Sequence, residues 1–246
     1  DINCRAQLAI LEACRLHNPR VRIVFASTRQ IYGRPDYLPV DEKHPLRPVD
    51  VNASDWHCTL EPKPDGSFAL RLGLREIAGL NKDEIEKHLM QHPNAISFRL
   101  ATVFGMSPRM RTDLLVNDFT YRAVYDRFVV LFESSFKRNY IHVRDVSRVF
   151  QHGIASFDRL KGQIYNVGLS EANVSKWELC EHIKKQIPDF TFLEAPVGKD
   201  PDQRNYIVSN AKIEGAGWKP AFPLDTGIAE LVKGFRMVKN TLHGNV

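Results

Sequence analysis

The sequence predicts an α/β fold built on a parallel sheet, and two observations lead to this prediction. Short runs rich in β-branched and aromatic residues alternate with segments whose apolar residues recur at helical spacing. One of these runs, Val21–Ala26, ends in the small polar residues Ser27 and Thr28, as a parallel strand does at its functional end. Strands that alternate with helices are typical of parallel α/β sheets.

The predicted elements follow one another along the whole chain. A first helix over residues 3–16 is apolar around much of its circumference, so we expect it to pack on a sheet and on a second surface. The strand at Val21–Ala26 comes next. Further strands are expected at Ile96–Phe104, Phe128–Phe132, Asn139–Val143, Ile164–Val167 and Phe190–Leu193, with helices between them.

Two helices near the C-terminal end have clear start signals. Ser175 and Glu178 have the spacing of a capping box, and apolar residues follow at four-residue spacing. The last helix is predicted to begin near Asp225 and to bury one stripe, formed by Ile228, Leu231, Val232 and Phe235. Residues 53–77 show no clear period. We expect a surface loop there, with Phe68–Ile77 as a short helix or an irregular insert.

Composition narrows the classes of protein. With 246 residues and 43% apolar residues, the chain can bury a substantial core in one large domain or two small ones. No apolar run approaches the roughly 20 residues that cross a bilayer, and Asp1–Cys4 does not resemble a signal peptide, so the cytoplasm is expected. The four cysteines form no Cys-x-x-Cys pair and the nine histidines show no ligand spacing, so no metal site is predicted.

The net charge of +5 favours an anionic ligand, which could be a nucleotide, a nucleic acid or an acidic surface. The 34 basic residues are spread among 29 acidic ones, which a solvated surface explains equally well. No stripe of basic residues interleaved with aromatics is visible, so nucleic acid is not the expected partner.

A series of motifs indicates a family. The series resembles the extended short-chain dehydrogenases/reductases of the NAD-dependent epimerase/dehydratase family, which act on nucleotide sugars; it consists of Phe25–Gly33, Leu38–Glu42, Pro45–Pro48, Phe98–Gly105, Arg138–Val146, Tyr165–Gly168 and Arg204–Tyr206. From Lys82 onward the chain is most similar to dehydrogenases and epimerases of GDP-heptoses for bacterial surface polysaccharide. That finer similarity is carried by Ser107–Arg111, Asp113–Thr120 and Asp200–Asp202.

The resemblance implies a Rossmann-like, doubly wound parallel sheet that binds NAD or NADP, a smaller C-terminal α/β domain for the nucleotide-diphosphate sugar, and a homodimer formed by residues 1–16 and the helix containing Lys82. Residues 1–106 and 139–168 would belong to the first domain, with 53–77 as an atypical insert, and residues 107–138 and 169–246 to the second. The family's glycine-rich phosphate-binding turn is absent from the 246 residues. The N-terminal βαβ units are therefore expected to be missing.

The resemblance also assigns catalytic and cofactor-binding residues. Thr28 falls at the position of the hydroxyl residue and Lys82 at that of the family lysine, while Ser27, Lys82, Ala101 and Thr102 would contact the cofactor. The catalytic tyrosine belongs four residues before Lys82, where this chain has Ala78. Because general acid–base catalysis is worth about 10²–10⁴ in rate, its loss would cripple the enzyme.

The substrate assignments come from the same comparison. Arg138 and Arg204 fall at the positions that clamp the diphosphate, and Asn117 at one that contacts the nucleotide. Dehydratases of the family carry an acidic pair after the hydroxyl residue. Arg29 and Gln30 occupy it here, which favours oxidoreduction or epimerisation at C4 of the sugar over dehydration.

Three hypotheses stay open at this point. The chain is an enzyme of nucleotide-sugar metabolism that is impaired as it stands, a non-catalytic nucleotide-sugar-binding homologue, or an RNA-binding atypical member of the superfamily. The missing tyrosine and glycine-rich turn leave open whether this chain is an active enzyme.

Overall fold

The computed structural model describes residues 2–18, 20–32, 35–46, 59–62, 68–71, 86–87, 89–108, 110–195 and 207–237. Its helices are α1 (Ile2–His17), α2 (Leu115–Tyr125), α3 (Val143–Ala155), α4 (Phe157–Leu160), α5 (Lys176–Gln186), α6 (Ala211–Gly215) and α7 (Leu224–Met237). Its strands are β1 (Ile23–Thr28), β2 (Thr59–Pro62), β3 (Phe68–Arg71), β4 (Ala95–Leu100), β5 (Thr102–Phe104), β6 (Phe128–Leu131), β7 (Lys137–His142), β8 (Gln163–Val167), β9 (Asn173–Ser175) and β10 (Thr191–Glu194). A 3₁₀ helix, Arg29–Tyr32, follows β1 directly.

A three-stranded parallel sheet forms the first layer, in the order β1-β4-β8. The central strand β4 is buried along nearly its whole length, as expected for a strand covered on both faces. Phe98 packs with Val149 of α3 and Tyr165 of β8 in one apolar core. The prediction of an α/β fold with parallel strands is thus confirmed.

A second sheet joins β5, β7 and β9, with β5 and β7 parallel and β7 and β9 antiparallel. Strands β6 and β10 form a separate parallel pair. Helices α2, α5 and α7 pack together beside these strands around a second apolar core. That core includes Ile228, Leu231, Val232 and Phe235, so the predicted stripe of the last helix is confirmed.

The predicted elements are present within a few residues of the expected bounds, with one break and one error. The run Ile96–Phe104 is divided into β4 and β5, which belong to different sheets. The expectation of a loop or short helix near residue 68 was wrong, because β2 and β3 form an antiparallel hairpin with Leu60 opposite Leu70. The remaining residues of 53–77 lie outside the described ones.

The first helix is only partly an outer surface. Leu11 is 8% exposed and packs with Leu89 and Ala95, whereas Ile10 is 61% exposed and Leu16 58%. One face of α1 therefore covers the first sheet within the chain, and another carries apolar side chains into solvent. No helix in the described part of the chain has the length and apolar character that a membrane span requires.

Candidate functional site

The carboxyl ends of the first sheet bring the predicted cofactor residues together. Thr28 is paired with Leu100, and Leu100 with Val167, so the three parallel strands end side by side. The backbone N–H of Ala101 donates to the carbonyl oxygen of Val167 at 2.9 Å. Open α/β sheets bind their ligands at this edge. The predicted positions of Thr28, Ala101 and Thr102 thus lie where such a sheet offers a site.

Ser27 sits just inside this edge. It is 4% exposed, and its hydroxyl has no hydrogen-bond partner among the residues that the structure describes. A buried hydroxyl without a partner is costly, and a polar ligand group at the strand ends would satisfy it. This observation fits the predicted contact between Ser27 and a cofactor.

Gly168 closes the same edge because nothing larger fits there. A Cβ at this position would overlap Asn139 Oδ1, lie 2.8 Å from Arg29 Nη2 and 3.0 Å from the Ala101 Cβ. The chain after β8 therefore runs directly over the side chains that join the first sheet to β7. The side chains around Gly168 are therefore tightly packed, and their polar atoms have little room to move.

Arg29 lies at the centre of that junction. Its Nε donates to the Arg99 carbonyl oxygen at 3.2 Å, Nη1 donates to Asn139 Oδ1, and Nη2 donates to Asn210 Oδ1 at 2.5 Å. Burial lowers the pKa of Arg29 to about 9. As this residue stands where dehydratases carry an acidic pair, the site offers no general acid at that point.

A second polar network lies behind β4. The Glu86 carboxylate accepts from Arg99 Nη2 at 2.5 Å and from Ser97 Oγ at 2.7 Å. Arg99 Nη1 also donates to the Tyr32 hydroxyl at 2.6 Å, and that hydroxyl donates to Asn166 Oδ1 at 2.9 Å. All donors and acceptors of this hydrogen-bond network are buried, so the network is expected to be rigid.

Four of the described tyrosines are poorly suited to act as the missing base. A catalytic tyrosine needs a lowered pKa, yet burial raises the pKa of Tyr32, Tyr140 and Tyr165. The hydrogen bond to Asp41 raises the pKa of Tyr37 to about 12. Tyr32, the one nearest Thr28 in sequence, is fully buried between Arg99 and Asn166.

The predicted substrate residues have defined surroundings. Arg138 lies on β7 opposite Val174, is 9% exposed, and donates from Nη1 to the Lys137 carbonyl oxygen at 3.0 Å. Asn117 is 2% exposed; its Oδ1 accepts from the Gly105 N–H at 3.1 Å, and its Nδ2 donates to the Arg111 carbonyl oxygen at 2.9 Å. Asn117 therefore connects Gly105, at the start of the loop between β5 and α2, with Arg111 further along that loop.

Three of the predicted positions, Lys82, Ala78 and Arg204, lie outside the described residues. His142 is fully buried: it stacks on Phe222, lies edge-on to Phe104 and accepts from the Arg144 N–H as the N-cap of α3. His142 is therefore a packed residue of the core. In the described part of the chain, no group of three His, Cys, Asp or Glu side chains could hold a metal ion.

Comparisons with known proteins bear on the family and the fold. Residues 1–54 match the model of the NAD dependent epimerase/dehydratase family. The chain is 23% identical to CDP-paratose 2-epimerase of Salmonella typhi over 94% of its own length and 70% of that protein. The first 54 residues are thus similar to the NAD dependent epimerase/dehydratase family, and most of the chain is similar to this epimerase.

Solved structures show the same fold. UDP-glucose 4-epimerase of Thermus thermophilus, in complex with NAD, superposes with a TM-score of 0.67 at 23% identity. The match covers 94% of this chain and 69% of that one. The Rossmann-like α/β fold of the epimerase/dehydratase family is thereby confirmed for this chain.

A second match falls inside the epimerase-like chain. Residues 43–101 match the model of a helix-hairpin-helix motif. A 37-residue stretch, 15% of the chain, is 60% identical to error-prone DNA polymerase of Alkalilimnicola ehrlichii. Lys82 and Ala78 both fall within 43–101, as do Glu86 and the whole of β4. At least the end of that range is thus part of the epimerase-like sheet.

Sequence reasoning missed two sets of residues. The pairing of Glu86 with Arg99 joins residues 13 positions apart, and Arg29 contacts residues 70, 110 and 181 positions away. Asn139, which contacts Arg29, and Asn166, which contacts Tyr32, both lie in motifs that carry the family resemblance. The sequence does not show these pairings, because no periodic pattern relates either asparagine to its partner.

Proposed function

We propose that this chain binds a nucleotide-diphosphate sugar, with a GDP-sugar favoured, at the junction of the β1-β4-β8 and β5-β7-β9 sheets. We further propose that the site is built for NAD(P)-dependent oxidoreduction or epimerisation at C4 and that turnover is impaired. The observation that carries the proposal is the alignment of Thr28, Ala101 and Gly168 at one sheet edge, next to β7 with Arg138.

The roles of the residues follow from their chemistry. An arginine binds a diphosphate better than lysine does, because its planar guanidinium offers paired donors. Arg138 and Arg204 would clamp the diphosphate, while Asn117 shapes the loop that contacts the nucleotide. The Thr28 hydroxyl would hydrogen-bond the sugar hydroxyl that loses its proton.

The nicotinamide half of a cofactor fits at the strand ends. Ser27, Ala101 and Thr102 would line the nicotinamide, and Lys82 would hold its ribose. When bound, the cofactor supplies hydride transfer. Position 78, four residues before Lys82, holds alanine where the family's tyrosine is expected. This feature supports impaired turnover.

Calorimetry of the full chain tests the binding proposal. We expect GDP-, UDP- and CDP-sugars to bind wild type with GDP strongest, and Arg138→Ala and Arg204→Ala each to weaken binding about tenfold to hundredfold. Arg122→Ala is the control, since Arg122 forms an exposed pair with Asp118 on α2. A cooperative unfolding transition must first be shown for each variant.

Two results would contradict the proposal. Binding that is indifferent to both Arg138→Ala and Arg204→Ala would remove the diphosphate clamp. Turnover of the unmodified chain, followed by nicotinamide absorbance at 340 nm, a wavelength set by the cofactor, would remove the claim of impairment while leaving the substrate class in place.

A second candidate function has an observation of its own. The helix-hairpin-helix match at 43–101 and the identity to an error-prone DNA polymerase favour contact with DNA. This replaces RNA with DNA in the nucleic-acid hypothesis, which composition alone disfavoured. Fluorescence anisotropy of a labelled DNA duplex at two salt concentrations tests it, because binding through phosphate contacts weakens steeply with salt.

Competition separates the two functions. If DNA binds through 43–101, saturating nucleotide-diphosphate sugar leaves the anisotropy unchanged, since Arg138 lies outside that range. Displacement of the duplex by the sugar nucleotide would instead place DNA on the basic side chains of the sugar-nucleotide site. A salt-independent or absent signal would reject the DNA function.

A further inference from the structure

Arg29 is a buried cation with neutral partners. It is 6% exposed, and in the described part of the chain its hydrogen-bond acceptors are the Arg99 carbonyl oxygen and the side-chain oxygens of Asn139 and Asn210. Burying a guanidinium without a hydrogen-bonded carboxylate is costly, although the nearby charge of Glu42 partly offsets the effect of burial on the pKa of Arg29. Residues held in such a state are found preferentially at functional sites.

The three acceptors belong to three different parts of the fold. The Arg99 carbonyl lies near the end of β4, Asn139 lies on β7 of the second sheet, and Asn210 caps α6. Arg29 itself follows β1 without an intervening residue. The planar guanidinium of Arg29, whose donors point in fixed directions, therefore connects the end of the first sheet to the second sheet.

The positions joined by Arg29 are sequence neighbours of two proposed site residues. Thr28 precedes Arg29, and Arg138 precedes Asn139. We propose that Arg29 is a positioning residue which, through its hydrogen bond to Asn139, fixes the spacing between the sugar-contacting Thr28 and the diphosphate-clamping Arg138. This inference rests on the proposed nucleotide-sugar site.

The surrounding packing supports a fixed distance. Asn139 is held from its other side, because its Nδ2 donates to the Leu169 carbonyl oxygen at 2.6 Å. Gly168 lies so close that any Cβ would overlap the Asn139 side-chain oxygen and press on Arg29. The lowered pKa of Arg29, caused by burial, is a further consequence of this enclosure. The Arg29–Asn139 contact thus has little freedom to shift.

A positioning role affects one part of the ligand more than another. In the proposed site the nucleoside diphosphate contacts Arg138 and Arg204 and does not reach Thr28, so it should bind equally well with or without Arg29. In a nucleotide sugar, the sugar must reach Thr28 while the diphosphate stays on Arg138. The sugar's contribution to the binding free energy therefore depends on the distance between these two residues. The measured quantity is the ratio of dissociation constants, nucleoside diphosphate over nucleotide sugar.

The experiment is calorimetry of the full chain with GDP and GDP-mannose, and with UDP and UDP-glucose. Asn139→Ala and Arg29→Lys should each reduce the ratio about tenfold while changing affinity for GDP or UDP alone less than twofold. Asn173→Ala is the matched control, because Asn173 lies opposite Asn139 on β9 and has no contact with Arg29.

Each outcome decides between the two levels of the proposal. If wild type binds none of the four ligands, the proposed function fails and the positioning role falls with it. If wild type binds them but the ratio is one, or is unchanged in Asn139→Ala and Arg29→Lys, only the positioning role is overturned. Loss of cooperative unfolding in both variants would assign Arg29 to folding alone and overturn it as well.

Discussion

Glu86 and Arg99 form an ion pair that is almost completely buried, with side-chain exposures of 1% and 2% and an Nη2–Oε1 distance of 2.5 Å. Glu86 follows the atypical central segment, whereas Arg99 lies on the central strand β4. The pair therefore fastens the end of that segment to the sheet. The Arg99 guanidinium also lies 4.8 Å from the centre of the Tyr32 ring.

Breaking this pair from one side should be more damaging than replacing both partners. Glu86→Leu or Arg99→Met alone leaves a buried charge, and we expect each to lower the free energy of unfolding by about 3–5 kcal/mol. The double variant should recover at least half of the combined loss. Urea denaturation of the four proteins measures this, with Arg122→Met as an exposed control expected to cost less than about 1 kcal/mol. Additive losses in the double variant would contradict the prediction.

The capping box of α5 should make stability depend on pH. The Ser175 N–H holds the pKa of Glu178 below its ordinary value of 4.5, and the Ser175 hydroxyl accepts from the Glu178 N–H. A lowered folded-state pKa means that the stabilisation is present above the unfolded value and is lost as pH falls through the folded value. Ser175→Ala should cost about 1 kcal/mol at neutral pH.

Thermal unfolding of wild type and Glu178→Gln between pH 7 and pH 3 checks the pH dependence. We expect the two proteins to differ most at pH 7 and to converge toward pH 3. A constant difference across this range would mean that the Glu178 carboxylate does not gain from the cap.

Restoring the catalytic tyrosine should not restore turnover. Ala78→Tyr supplies the proton-transferring side chain, but residues 43–101, which include Ala78 and Lys82, match a helix-hairpin-helix model, whereas the match to the epimerase/dehydratase model ends at residue 54. We therefore expect no measurable change in nicotinamide absorbance for the variant. Ala78→Phe is the matched control. Turnover of the tyrosine variant alone would refute the prediction.

A homodimer formed through α1 stays a prediction. Leu11 is buried within the chain, so it contributes to the core instead of an interface, whereas Ile10 and Leu16 are exposed on α1. If α1 forms the dimer, Ile10→Asp and Leu16→Asp should shift the protein toward monomer in sedimentation measurements across a concentration series. Ile154→Asp, at an exposed apolar position on α3, is the control. A monomer at all concentrations for wild type would reject the dimer.

The sequence by itself determined the class of fold and most of its elements. Local patterns suffice for this, since a period of apolar residues or a capping box involves neighbours in the chain. Ser175 and Glu178 were assigned correctly for that reason. The strand-end residues Ser27, Thr28 and Ala101 were placed at one edge because parallel strands end on the same side.

The atypical segment marks where local reasoning fails. Residues 68–71 have no alternation strong enough to indicate a strand, and their pairing with 59–62 depends on the hairpin partner. The division of Ile96–Phe104 into β4 and β5 has a similar origin. A continuous apolar run does not show at which residue the chain leaves one sheet for another.

Only the tertiary structure decided which charged side chains are buried and which partners they contact. Nothing local distinguishes Arg29 and Arg99 from exposed arginines, and their partners lie up to 181 and 67 positions away. Whether a guanidinium faces water, a carboxylate or amide oxygens is set by which strands meet around it, because its desolvation must be offset by those contacts. The sequence thus determined which strands end at one edge of the sheet, and tertiary packing decided that Arg29 contacts Asn139 near that edge and that Glu86 compensates the charge of Arg99.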